Sequence, residues 1–420
     1  MGQHGFASIG ETEAVPHQRK GNDAVVIGVG LTPFSRDAGK SALELQADAA
    51  YEALDDAGIG SIDLDTVITG YATTVNHIMP GNVLAEYLGA KPARAFGMSV
   101  GGATGLAMVA EATRMIRAGD ADTVLVVGGE NRASGQTRDA AIATLAQVGH
   151  ATHEVALGAN IPAYYALLAS VYLNRYGLHN ADLAPLAVQM RAHAVRHPGA
   201  QFRRPITIDD VLNAPPIAEP LGLLDCCPMS DGAAAVVITS RAGSSRLPAG
   251  SGSGSRGVGI TGIGQSNNHQ HVSEADFSSF GARQSASEAL DDAGATIDDL
   301  DILGIYDSFT VTLAILLEEI GIVEPGTAGR HAADGMFASD GRYPLNLHGG
   351  LLSYGHSGVA GGMAHLVEMV TQMRGEAADR QLALAPHHGL LHADGGVLSA
   401  HVSVVLDADD PSAVPTGEQR

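Results

Sequence analysis

Apolar and polar positions fall into alternating blocks along the chain. AVVIGVGL (24–31) is a short apolar run bounded by Thr32 and Pro33, the pattern of a buried strand. SALELQADAAYEALDDAG (41–58) follows, with apolar residues at three- and four-residue steps and Gly58 in the C-cap position. That spacing predicts an amphipathic helix. DLDTVITGY (63–71) reads as the next strand and residues 102–118 as a helix rich in Ala, Met and Ile. TVLVVGGE (123–130) is near-continuously apolar, as expected of a strand covered on both faces. KPARAF (91–96), with no β-branched residue, does not read as a strand. Strand and helix in alternation predict a layered α/β fold.

The pattern repeats itself once. EALDDAGIGSIDLD (52–65) and EALDDAGATIDDLD (288–301) align without gaps at an offset of 236, with 10 of 14 positions identical. The strands TVITGY and ILGIY follow them. SVGGATGLAMVAEATRMIRAG (99–119) and SYGHSGVAGGMAHLVEMVTQMRG (353–375) correspond more loosely, each a turn of small residues entering a long helix. One repeat of this length is too little for a solenoid, so two copies of one α/β unit are expected. Residues 1–22 read as a disordered tail and 23–240 as the first half, with a mixed helix-and-loop insertion at about 131–220. RAGSSRLPAGSGSGSRG (241–257) reads as a Gly/Ser linker, 258–407 as the second half and 408–420 as a polar tail.

Composition narrows the class. The 420 residues carry a formal net charge of −22 and no Trp, a poor surface for nucleic acid or anionic membrane. No apolar run reaches membrane-spanning length, and no signal peptide is visible, so a cytoplasmic location is expected. Two cysteines, Cys226 and Cys227, are adjacent and lack zinc-ligand spacing, so no metal site is expected and both read as structural. The GVG of the first strand lacks the third glycine of a dinucleotide fingerprint, its place being taken by Pro33. GMSVGGATG (97–105) contains a G-x-S-x-G with Ser99 at its centre, but KPARAF before it lacks the strand that a nucleophile elbow requires.

Several segments in combination resemble the thiolase superfamily, most closely thiolases of the sterol-carrier-protein type and their thiolase-like relatives. They are GGATGLAMVAEATRMIRAGDADTVLVVGGE (101–130), LGLLDCCPMSDGAAAVV (221–237), YDSF (306–309), NLHGGLLSYGHSG (346–358) and HADGGVLSAH (392–401). The resemblance covers roughly residues 23–407. It implies a layered α/β/α/β/α fold of two duplicated halves with a loop domain inserted in the first. It also places Gly102 where the family carries its nucleophilic cysteine. Asn-Glu-Ala-Phe or His-Asp-Cys-Phe becomes Tyr306-Asp307-Ser308-Phe309, and Gly-His-Pro becomes Gly355-His356-Ser357. The Cys-x-Gly turn falls on His392-Ala393-Asp394-Gly395-Gly396. Both thiolase cysteines are therefore missing, and acyl transfer through a thiolate is excluded.

Retro-aldol cleavage of a β-hydroxyacyl-CoA needs an oxyanion site and an acid/base pair but no covalent intermediate. His356 is the expected oxyanion donor, assisted by the backbone at Gly102, Gly395 and Gly396. Tyr306 and Tyr354 are the expected acid/base phenols. Asp307 is expected to orient a neighbour or cap a helix, and His392 is a further acid/base candidate. Arg203 and Arg204, in the insertion where positive charge gathers, are candidates for the CoA phosphates. Proteins with these substitutions resemble the acyl-CoA aldolases of steroid side-chain degradation. That resemblance implies a CoA thioester as substrate, no cofactor on this chain, and a homodimer core. It also implies an OB-fold, zinc-ribbon accessory protein, which would carry any zinc. The rival readings are a Ser99 hydrolase, a non-catalytic acyl-CoA-binding subunit, and an acyltransferase of the same superfamily with another nucleophile.

Overall fold

The computed structural model describes residues 23–75, 77–244 and 257–408. The expected tails at 1–22 and 409–420 and most of the expected linker lie outside these residues. Residue 408 belongs to the last strand, and Arg241–Ser244 forms one helical turn. In chain order the strands are β1 (Ala24–Leu31), β2 (Thr66–Gly70), β3 (Arg94–Met98), β4 (Thr123–Asn131), β5 (Pro216–Ala218), β6 (Leu221–Gly222), β7 (Asp231–Ser240), β8 (Val258–Asn267), β9 (Ile302–Ile305), β10 (His388–Gly395) and β11 (Ala400–Ala408).

Nine of them form one sheet in the order β3-β2-β4-β7-β1-β8-β11-β10-β9. The order is a duplication joined at β1 and β8, which pair antiparallel through Ala24–Ile260 and Val26–Val258. Outward from that seam each half runs antiparallel, antiparallel, parallel: β1-β7-β4-β2 in the first, β8-β11-β10-β9 in the second. The first half adds β3 at its edge, parallel to β2. The second has only a parallel bridge from Leu303 to Leu345 there. KPARAF thus departs from expectation, because Arg94–Met98 is a strand. Its pairing with β2 and its edge position outweigh its weak propensity.

Strand periodicity places the layers. Val25, Ile27, Val67, Leu125, Val127, Ala235 and Val237 pack against the helix Ala42–Ala57 on the outer face. Their neighbours Val26, Ile68, Val124, Val126, Val236 and Ile238 point to the central core. The helices Thr104–Ala118 and Val359–Arg374 lie in that core against each other and against strands of both halves. The GVG of β1 serves this packing. A Cβ on Gly28 or Gly30 would lie 2.1 Å from the carbonyl of Ala53 or Ala49. The equivalent Gly262 and Gly264 would meet Ala289 and Ser285 carbonyls at 1.9 and 2.0 Å. The dipeptide spacing lets strand and outer helix touch in both copies.

The halves are cross-tied. Arg117, ending one central helix, donates to Asp292 on the second half's outer helix at 2.7 Å. Arg374, ending the other, donates to Asp56 on the first half's outer helix at 2.6 Å. Between β4 and β7 stand four helices, Arg138–Ala146, Ile161–Tyr176, Asn180–Arg196 and Ile208–Leu212, with the small β5–β6 hairpin.

Candidate active site

Four turns meet at the end of the central helices. The glycine turn 100–103 precedes one helix and the Gly355–Gly358 turn precedes the other. YDSF follows β9, and HADGG closes β10. Together they line the inner end of a cavity of about 710 Å³. A Cβ on Gly101 would come within 2.7 Å of Gly396 N, so the two glycine turns abut.

Gly102 lines this cavity, and the space its side chain would take is filled. A Cβ there would lie 2.3 Å from the Tyr306 hydroxyl and 2.5 Å from the Asp394 carbonyl. The phenol of YDSF occupies the space that a side chain at position 102 would take. The Tyr306 hydroxyl lies 3.2 Å from His356 Nε2. Burial, then the Asp394 charge, hold its pKa well above the ordinary phenol value, so it is a neutral phenol.

His356 is fixed through its backbone: its N–H donates to Ser230 Oγ, and its carbonyl accepts from Ser230 N. Ser357, where the family has proline, sets its hydroxyl 2.7 Å from both the Glu130 and Gly232 carbonyls. It ties the GHS turn to the ends of β4 and β7. The residues after β4 are held in turn by Asp231 of the DGAAA strand, which accepts from Ala133 N, Ser134 N and Ser134 Oγ. This brings Arg132 Nη1 to 3.3 Å from His356 Nε2. Burial and the Arg132 charge push the imidazole pKa well below its usual range, so His356 is neutral.

Opposite stands a buried carboxyl. Asp394 accepts from the Tyr165 hydroxyl at 3.1 Å, and its Oδ1 has no partner. Burial pushes its pKa up to about 7. Tyr165 is stacked on Phe309 of YDSF, ring centroids 4.3 Å apart, and reaches in from the helix Ile161–Tyr176. Cys226 and Cys227, expected as structural residues, line the cavity. Burial raises both thiols, Cys227 to about 12, so neither is a thiolate.

The structure scatters several other candidates. Tyr354 is outside the cavity lining; its hydroxyl donates to the Thr32 carbonyl, and its ring packs on Phe34 and His197. Asp307 is fully buried and caps the turn Gly350–Ser353 by accepting from Leu351 N and Leu352 N. His392 points into the sheet, against Ser403 Oγ and His401. Gly395 packs against the Val100 carbonyl, while Gly396 lines the cavity. Arg203 and Arg204 are exposed and off the cavity. Arg191, nearby, donates to Ser353 Oγ and the Arg204 carbonyl. Ser99 is exposed at the end of β3 and off the cavity. Sequence reasoning missed Arg132, Asp394 and Tyr165. The available signals were an acid within HADGG and a cation just after the strand ending in GGE.

The outer walls come from the insertion and its return and are largely apolar, with Ile142, Leu145, Ile161, Phe202, Ile217, Leu223 and Leu224, alongside Arg138, Asn160 and Arg191. The halves thus supply Tyr306, His356 and Asp394, and the segment after β4 adds Arg132 and Tyr165 together with the apolar wall. Among the described residues, no group of three or more His, Cys, Asp or Glu is arranged to hold a metal ion. No helix there is long and apolar enough to cross a membrane.

Family comparison agrees with this architecture. Residues 24–242 match the thiolase N-terminal domain and 264–408 the thiolase C-terminal domain-like family. The chain belongs to the thiolase superfamily. It is 32% identical over 395 residues to the 17-hydroxy-3-oxo-4-pregnene-20-carboxyl-CoA lyase of Mycobacterium tuberculosis, covering 89% of this chain and 97% of that one. It is 30% identical over 390 residues to an acetyl-CoA acetyltransferase of Methanothermobacter thermautotrophicus, covering 90% and 99%. Among solved structures it is similar to the Ltp2-ChsH2(DUF35) aldolase, with a TM-score of 0.79, 30% identity and coverage of 93% and 99%.

Proposed function

We propose that this protein is a carbon–carbon lyase that cleaves a β-hydroxyacyl-CoA by retro-aldol chemistry. The observation that carries the reading is Gly102: the nucleophile's position has no side chain, and the Tyr306 hydroxyl fills its space. Acyl transfer has no thiolate here, since Cys226 and Cys227 are held as thiols.

In the reaction the β-hydroxyl loses its proton and becomes a carbonyl. The Cα–Cβ bond breaks, and its electron pair moves into the thioester as an enolate. The enolate then takes a proton at Cα. Asp394, with a pKa near 7, is suited to accept the hydroxyl proton. Tyr306, a neutral phenol, is suited to protonate Cα, and Asp394 then returns its proton to Tyr306. The apolar wall suits a bulky, branched or polycyclic acyl group, as in a steroid side-chain thioester. The aldolase relatives support that class, and the DUF35 protein in the similar complex supports an accessory partner, which we place beside a homodimer of this chain.

The test is incubation with β-hydroxyacyl-CoA thioesters bearing a tertiary hydroxyl, with and without a DUF35-type partner. A ketone and a shortened acyl-CoA should appear by mass spectrometry, with no acylated protein. Absence of both products across the substrate panel, despite tight thioester binding, would favour a binding subunit instead.

A further inference from the structure

We propose that Arg132, rather than His356, receives the negative charge of the thioester enolate; this rests on the retro-aldol reading above. The first observation is tautomeric. Arg132 Nη1 lies 3.3 Å from His356 Nε2, and a guanidinium only donates. His356 Nε2 is therefore a lone-pair acceptor, and the Tyr306 hydroxyl approaches the same atom at 3.2 Å. The imidazole proton sits on Nδ1, which is buried without a partner and borders Gly361. Nε2 thus presents no proton to an oxyanion in the cavity.

The second observation is an uncompensated charge. Arg132 is 7% exposed, its Nε has no partner, and among the described residues it makes no ion pair. A buried cation without a counter-ion is costly and is normally paired. Arg132 lines the cavity beside Gly102, Tyr306 and His356. An anion that forms only during the reaction supplies the missing counter-charge, and the fixed guanidinium meets it without reorganisation. Asp231, through its bonds to Ala133 and Ser134, and Ser357, through Glu130, hold the backbone that aims it.

The test compares Arg132→Met, Arg132→Gln and Arg132→Lys with the wild type in three measurements. These are kcat for cleavage, Kd for the acyl-CoA that lacks the β-hydroxyl, and deuterium uptake at Cα of that same acyl-CoA in D2O. Removing the charge should lower kcat about 100- to 1,000-fold. Deuterium uptake should fall in parallel and Kd should change less than about threefold, while Arg132→Lys recovers part of the rate. Cleavage within about threefold of wild type in the Met and Gln variants would overturn the proposal. So would a rise in Kd matching the whole loss in kcat/KM, which would make Arg132 an anchor for an anionic ground state. Failure of the wild type to cleave counts against the retro-aldol reading alone, because deuterium uptake still reports the enolate.

Discussion

At position 102 the side chain is excluded by contacts on two sides, one of them a backbone carbonyl that cannot rotate away. Gly102→Ala should therefore cost about 1–3 kcal/mol, read by denaturant unfolding. It should also displace Tyr306 from His356 and abolish cleavage, and a variant of wild-type stability and rate would refute the crowding argument. Asp394 makes a second prediction at this scale. Its folded carboxyl keeps its proton up to about pH 7, whereas the unfolded group releases it near 3.8. Between those values the folded state binds more protons, so the Asp394 contribution falls as pH rises from about 4 to about 7, then levels. Asp394→Asn removes that slope. The stability difference between wild type and variant should change by on the order of 1–4 kcal/mol across this window in denaturation at successive pH values. Cleavage by Asp394→Asn should drop about 100- to 10,000-fold.

At the scale of the element, Ser357 shows how one turn aligns two strands. Its hydroxyl spans the ends of β4 and β7, so Ser357→Ala leaves buried carbonyls short of a donor. A loss of about 1–3 kcal/mol is expected, with kcat falling more than KM rises because Arg132 and His356 lose their common support. Equal effects on kcat/KM and on stability alone, with kcat intact, would remove the positioning role. The elements themselves were legible in the sequence wherever periodicity was strong, as in AVVIGVGL and the two EALDDAG helices. KPARAF was not, because an edge strand borrows its conformation from β2 rather than from its own residues.

At the scale of the whole molecule, the two halves share a core, and two arginines lock each central helix to the opposite half. Arg374 is nearly fully buried and Arg117 about 30% exposed. Arg374→Met should thus lower stability by about 1–3 kcal/mol and Arg117→Met by under about 1 kcal/mol, each retaining a single unfolding transition. Comparable losses from both would mean that burial does not set the strength of these ties.

Residue identity and order were enough for the duplication, the missing cysteines and the choice of YDSF and GHS as segments that line the cavity. These are read one position at a time or by local spacing. Which polar groups face one another was decided only by the tertiary structure. Tyr354 and His392 sit in site motifs but turn toward Thr32 and Ser403. Tyr165, 229 residues from Asp394, reaches it from the insertion, and Arg132 reaches His356 across 224 residues. A side chain's direction depends on the turn that carries it and on what packs behind it, and neither is written in the motif that contains the residue.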